Sequence, residues 1–389
     1  MLNYIEMNNK WLNGALPALL IHSCIGSVYC WSLLKGSIAS CIGTSIASIE
    51  FAFTLAIFFL GMSAAFGGRF VEKDVQRSSM LSTVCFVLGL LGTVWSITIE
   101  NVYLLYLSYG VLMGIGLGLG YLSPVKTLML WFKDHKGLAT GIAISGFGLS
   151  KVLFSPFFEW SIPIFGIKIT LIITAFISFI MMFTASKLIK KPSNWVENPG
   201  QFNLDKAWEI IKNPTYISIW LMFFINITCG LVIISFEKNI ILFSGLFSVA
   251  LMSSLSAFFN TLGRFGYSTG SDYTKKKETI YSIIFITCII SCLFLNSGWG
   301  ILGLLAFINL GYGGGFSTLP TLLESKFGMK NISTIHGFAL SAWAWAAVGA
   351  FIITQILIYR MNIEYDVVIK LLSLLYLFGF GLSLWIRKR

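Results

Sequence analysis

Long apolar stretches alternate with short polar connectors along the whole chain. Runs of roughly 20 apolar residues, each enough to cross about 30 Å of hydrocarbon as a helix, fall near 12–34, 46–66, 79–98, 102–125, 138–158 and 167–188. Six more follow near 215–236, 242–266, 280–297, 300–322, 337–359 and 366–386. The pattern predicts an all-α membrane protein with twelve transmembrane helices. The first run is too long for a cleaved secretory segment and lacks a strongly positive stretch ahead of it, so it is expected to be retained.

The only extended polar stretch runs from Lys190 to Pro214, with three prolines and charges of both signs, and reads as a linker. It divides the chain into a six-helix bundle at 1–189, a linker at 190–214 and a second six-helix bundle at 215–389. The halves repeat one another. GRFVEKDVQR from Gly68 and GRFGYSTGSDYTKKK from Gly263 each end an apolar run with Gly-Arg, then an acid, then basic residues. The acids Glu72 and Asp272 are 272 − 72 = 200 positions apart, as are Gly137 and Gly337 in the loops after spans four and ten. A duplicated chain of apolar spans points to a transporter built from two pseudo-symmetric halves.

Composition agrees: 56% apolar residues, 11% charged and a mean hydropathy of +0.82 leave too little polar surface for a soluble body. The bilayer is therefore the expected partner surface. The net charge of +11 does not imply nucleic acid, because nineteen of the 27 basic residues occupy alternate connectors and the termini. By the positive-inside rule both termini and the linker face the cytoplasm. The seven cysteines show no metal-like pairing and read as packing residues. His22, His135 and His336 lack metal-ligand company and read as structural. No metal, cofactor or catalytic group is expected.

Three cations lie in or near spans, where each costs about 2.5–3.5 kcal/mol at a helix centre. Lys126 is close enough to the cytoplasmic edge for its stem to lift the ammonium to the headgroups. Lys151 lies about 20 Å into span five at 1.5 Å per residue, with no carboxylate three or four positions away. It either lines an aqueous cavity and meets an anion, snorkels outward, or pairs with another helix. Arg264 lies one turn after Asn260 on the same face. Its planar fork suits a carboxylate, although a structural role binding Asp272 or backbone carbonyls at the helix end is the competing reading. Span four carries glycines at fourfold spacing, Gly110, Gly114 and Gly118, and again Gly116 and Gly120, which form small faces for close helix approach. Aromatics gather near the expected cavity: Tyr29, Trp31, Tyr121, Tyr312, Phe316, Trp343 and Trp345.

With these residues in hand, the chain resembles the major facilitator superfamily and, within it, the oxalate/formate antiporter family of carboxylate exchangers. The superfamily loop pattern is carried by Gly68, Glu72, Lys73 and Arg77, with Val75 in place of a usual glycine. The family likeness is carried by GSVYCWSLL, YGVLMGIGLGLGYLSP, NTLGRFGYSTGSD and GYGGGFSTLPTLLESKFGMKNISTIHGFALSAWAWA. The resemblance implies a substrate-binding role for Arg264 and an aromatic cage of Tyr29, Tyr121 and Trp343. The family's span-eleven lysine has no counterpart before Arg360, so a two-cation clamp needs Lys151. Where related proton-coupled monocarboxylate transporters place an acid one turn before the arginine, this chain has Asn260, which favours exchange over proton symport. The sequence thus predicts a monomeric secondary transporter of small organic anions in the cytoplasmic membrane. Arg264, Lys151, Asn260, Tyr29, Tyr121 and Trp343 form the site, and Gly68, Glu72, Lys73, Arg77 and Asp272 the gate. A proton-coupled symporter and a non-transporting sensor on the same scaffold are the alternatives.

Overall fold

The computed structural model of the protein describes residues 9–192, 204–237, 240–241, 249–295, 298–329 and 332–388. The chain ends, Lys238, Lys330, Arg389, the middle of the expected linker and the first residues of the expected eighth span lie outside the described residues, as does the Lys206 side chain.

The helices are α1 Trp11–Ile42, α2 Ile46–Lys73, α3 Val75–Thr98, α4 Val102–Trp131, α5 Lys136–Leu188, α6 Leu204–Ile211, α7 Pro214–Ser235, α8 Val249–Asp272, α9 Glu278–Leu293, α10 Gly298–Phe327, α11 Ile332–Arg360 and α12 Tyr365–Lys388. Their starts follow ordinary capping chemistry. The side chains of Ser45, Asp74 and Asn101 accept backbone N–H groups from the first turns of α2, α3 and α4, and Asn213 does the same ahead of Pro214 in α7. Helix α5 is 53 residues long because Gly166, at φ 76° and ψ 164°, joins two limbs without an unwound connector. That conformation suits glycine, which has no Cβ to clash. The limbs are the fifth and sixth expected spans, and α6 lies within the linker segment.

Among the described residues nine helices are long and apolar enough to cross a bilayer, and the two limbs of α5 make ten crossings of those nine. Helices α8 and α9 complete the twelve, six in each half. Helix α9 has 16 residues, or about 24 Å at 1.5 Å per residue. Helix α8 is less apolar because it carries a polar stripe, Ser256, Asn260, Arg264, Ser268 and Ser271, all buried in the protein.

The glycines of α4 divide into two faces, as their spacing predicts. Gly110, Gly114 and Gly118 lie against Leu55, Ala56 and Leu60 of α2, while Gly116 and Gly120 lie against Ser82 and Phe86 of α3. The halves meet along α2–α11 and α5–α8. Here again small residues allow backbone approach: a Cβ on Gly68 would lie 2.7 Å from the Ser333 carbonyl, and one on Gly61 2.7 Å from Leu340 O. Gly137 meets Ser268 and Gly337 meets Ala64 in the same way. The cysteines are free, and all but Cys41 are buried. Lys126 is buried too, which corrects the expectation that its ammonium reaches the headgroups.

Crowding at these contacts gives a direct test. Gly337→Leu must push α11 off α2 and is expected to lower the detergent-solubilised melting temperature, since overpacking typically costs about 1–3 kcal/mol. Gly381→Leu, at a position with no neighbour within 4 Å, is expected to leave it unchanged.

Candidate functional site

The polar stripe of α8 brings Arg264 to the line where the halves meet. It can be buried there because Gly313 of α10 leaves room: a Cβ at that position would lie 3.0 Å from Arg264 Cγ. The guanidinium is 1% exposed. Its Nε donates to Asn260 Oδ1 at 2.7 Å and Nη1 to the Ile144 carbonyl of α5 at 3.4 Å, while Nη2 is buried without a hydrogen bond among the described residues. The rings of Phe147 and Phe316 flank it, 5.5 and 5.2 Å from the guanidinium carbon. A cation gains from an aromatic face, but the rings cannot satisfy the remaining N–H groups. One nitrogen of the fork, Nη2, is left open to an acceptor.

The expected cage assembles around this group. Tyr121 lies 5.6 Å from Phe147 and 5.8 Å from Trp343, and Trp343 lies 4.3 Å from Phe316, all as ring centroids. Tyr29 sits in a 3₁₀ stretch of α1, Gly26–Cys30. Gly26 lets α1 approach α5 there, since a Cβ would lie 2.8 Å from the Phe147 backbone. Its hydroxyl meets that of Tyr312 at 3.1 Å across the halves. Asn260, Tyr29, Phe147 and Tyr312 line an inner pocket of about 30 Å³, room for about one or two waters. A larger cavity of about 130 Å³ opens above it, toward the end of the molecule where Lys35 and Glu50 pair at 2.6 Å. Lys151 lines both spaces and pairs with Glu237, beyond the end of α7, at 3.4 Å. Of the readings open for Lys151, cavity lining and pairing across helices thus hold together.

Arg264, Asn260, Tyr29, Tyr121 and Trp343 are brought together, with Lys151 one level above. Phe147 and Glu237 escaped the sequence reading. Phe147 stands between two glycines four residues before Lys151, a signal that could have been used. Glu237 is a lone carboxylate at the end of an apolar run, 86 positions from its partner, and no spacing rule connects them. His22 makes contact with the Ala143 and Tyr121 carbonyls, consistent with a structural role.

The residues expected to form the gate lie at the other end. Asp272 accepts from Gly137 N at 2.8 Å and Leu138 N at 2.9 Å, at the start of α5. Glu72 accepts from Ser333 N at 3.0 Å and Thr334 N at 3.3 Å, at the start of α11. Each acid ends a helix of one half and caps a helix of the other. A carboxylate is disfavoured by the negative end of its own helix and favoured at another's N-terminus, by about 0.3–1 kcal/mol at exposed sites. Of the two structural partners the sequence offered Arg264, Asp272 is engaged instead with the start of α5, while a backbone carbonyl, that of Ile144, does accept from the guanidinium. The acids are equivalent at an offset of 200, whereas the two Gly-Arg pairs differ by 263 − 68 = 195. Arg264 therefore lies about five residues, roughly 7.5 Å, deeper than Arg69. Lys73 and Arg77 stay outside the cross-half contact. Both are exposed, and Arg77 pairs with Asp74 at 3.1 Å, because a spacing of three places them on one face of α3. A cross-half ion pair at this end is Lys136–Glu324, at 2.7 Å.

With two bundles meeting at a buried arginine, the sequence comparisons are decisive. The profile described as Major Facilitator Superfamily matches residues 6–385. The chain belongs to that superfamily. The transporter is 25% identical to the oxalate:formate antiporter of Oxalobacter formigenes over 353 residues, 88% of this chain and 83% of that protein. It is 26% identical to an uncharacterized MFS-type transporter, YhjX, of Escherichia coli K12 over 339 residues, 84% of this chain and 83% of that protein. Among solved structures, the proton:xylose symporter XylE superposes with a TM-score of 0.76 at 12% identity, covering 96% of this chain and 94% of that one. FucP in its outward conformation gives 0.70 at 12% identity, covering 96% and 97%. At such identities the structural likeness speaks for the fold.

Removing both caps, Glu72→Ala with Asp272→Ala, is expected to leave the first N–H groups of α5 and α11 exposed to opening. Amide hydrogen exchange in the first turns of those two helices should accelerate, by roughly fivefold for a cap worth about 1 kcal/mol, while exchange at the centre of α4 stays as in the parent protein.

Proposed function

We propose that this transporter moves a small organic anion, a mono- or dicarboxylate, across the cytoplasmic membrane by alternating access, and that it works by exchange. The observation that carries this reading is the buried Arg264 guanidinium with one nitrogen unused among the described residues, set between the rings of Phe147 and Phe316 where the halves meet. A carboxylate supplies an acceptor oxygen for that nitrogen, and an uncharged ligand leaves the buried charge uncompensated. Asn260 holds the guanidinium in place through Nε, and Tyr29, Tyr121 and Trp343 confine the ligand. Lys151 supplies a second positive charge for a dianion. Matching relatives named as an oxalate:formate antiporter and as monocarboxylate transporters support the substrate class.

In the proposed cycle the halves 1–189 and 215–389 rock about the site, joined by the linker at 190–214. Both termini and the motif end face the cytoplasm, and one monomer suffices. The caps made by Glu72 and Asp272, aided by Gly68, hold the cytoplasmic side closed, while the cavity opens on the outer side. The inner pocket is too small for a carboxylate until Tyr29 and Tyr312 part. Asn260 in place of a titratable acid removes one route for proton coupling, which favours exchange over symport.

Arg264→Gln is expected to abolish carboxylate uptake and exchange in reconstituted vesicles while the melting temperature stays near that of the parent. Arg264→Lys, with a point charge in place of the planar fork, should not restore it. Full transport by the Gln variant removes the proposed role. Binding of carboxylates by the parent protein without any flux turns the reading into that of a sensor.

A further inference from the structure

The pair between Lys151 and Glu237 differs from the other ion pairs near the cavity. Lys35 and Glu50 satisfy each other closely, at 2.6 Å and within one half. Lys151 and Glu237 belong to opposite halves, and their contact is long, at 3.4 Å. Glu237 is 6% exposed, yet its Oε1 has no hydrogen-bond partner among the described residues, so within them the carboxylate is buried with half of its acceptor capacity unused. A buried carboxylate held by one long contact is poorly compensated. Lys151 stands in the wall shared by the outer cavity and the inner pocket, whereas Glu237 lines the outer cavity alone. An anion passing from the outer cavity toward Arg264 therefore meets an ammonium already occupied by a carboxylate of the protein.

We propose that Glu237 is a built-in competitor for the transported anion. Its carboxylate occupies Lys151 in the empty site and is displaced by the carboxylate of the substrate, an inference that rests on the anion reading above. Lys151 is then neutralised in both states, by Glu237 when the site is empty and by substrate when it is loaded. Leaving Lys151 with neither would strand a partly buried charge. Displacement also breaks a tie between the halves, so arrival of the anion at Lys151 loosens the outer side of the molecule. The competition lowers apparent affinity by the fraction of time Glu237 holds the lysine. Glu237 acts here as a specificity-determining residue, with more effect on a dianion, which needs Lys151, than on a monoanion, which can rely on Arg264.

The test is equilibrium binding of oxalate and of formate to the full-length protein in lipid nanodiscs. Glu237→Gln is expected to bind oxalate roughly five- to tenfold more tightly than the parent, as follows when a competitor holding the site for most of the time is removed, and formate with a smaller gain. Glu237→Asp retains parental affinity, and the gain disappears in Glu237→Gln combined with Lys151→Gln. Unchanged or weaker oxalate binding by Glu237→Gln overturns the inference. A second measurement needs no variant: carbodiimide joins Lys151 to Glu237 in the parent protein, and saturating oxalate suppresses that cross-link. Cross-linking that persists at saturation also overturns it. The two readings fail differently. If the parent binds neither anion, or Arg264→Gln binds both as well as the parent does, the anion reading falls and takes this inference with it. If the parent binds, Arg264→Gln does not, and Glu237→Gln shows no gain, only the competitor role is lost.

Discussion

The first N–H groups of a helix have no partner within that helix, and where such a start lies inside a membrane protein something else must accept them. In this transporter two helix starts, those of α5 and α11, are satisfied by carboxylates from the opposite half, Asp272 and Glu72. Each acid sits at the end of its own helix, where its charge is least welcome, so the contact relieves two costs at once. The close approach of α2 to α11 and of α5 to α8 follows from it, and so does the need for Gly68, Gly137 and Gly337 at the crossing points. A side chain there would hold the carboxylate away from the N–H groups. With one end drawn together in this way, the cavity lies toward the other end, beside Lys35 and Glu50.

The buried arginine has a related logic. A guanidinium deep in a membrane protein must be hydrogen-bonded or it costs more than the fold can bear. Asn260 and the Ile144 carbonyl account for part of its donor set, and two aromatic rings shield its faces, but one nitrogen is left open. The incompleteness sits where the two halves meet, next to Asn260 of the small inner space, and on the proposed reading a ligand of opposite charge completes the set. The Tyr29–Tyr312 contact and the Lys151–Glu237 pair close the space above it, both across the halves. On the proposed reading, these contacts are the ones a passing anion rearranges.

The sequence determined how many times the chain crosses the bilayer, because twenty apolar residues have few other fates in water or lipid. It also determined the duplication, because the acids and loop glycines recur at one interval. The glycine faces of α4 were legible for the same reason, since helical spacing fixes which residues share a face. Arg264 and Asn260 could be paired from one-turn spacing alone. What tertiary structure decided is everything that joins one half to the other. Nothing local ties Lys151 to Glu237, Asp272 to the start of α5, or Tyr29 to Tyr312, because pairing across halves depends on how two bundles dock. The greater depth of Arg264 relative to Arg69 was legible as well, since the Gly-Arg pairs differ by 195 positions where the acids and loop glycines differ by 200; the capping geometry then shows what each acid holds. Sequence reads contacts within a helix, and the charges that matter most here are balanced between helices.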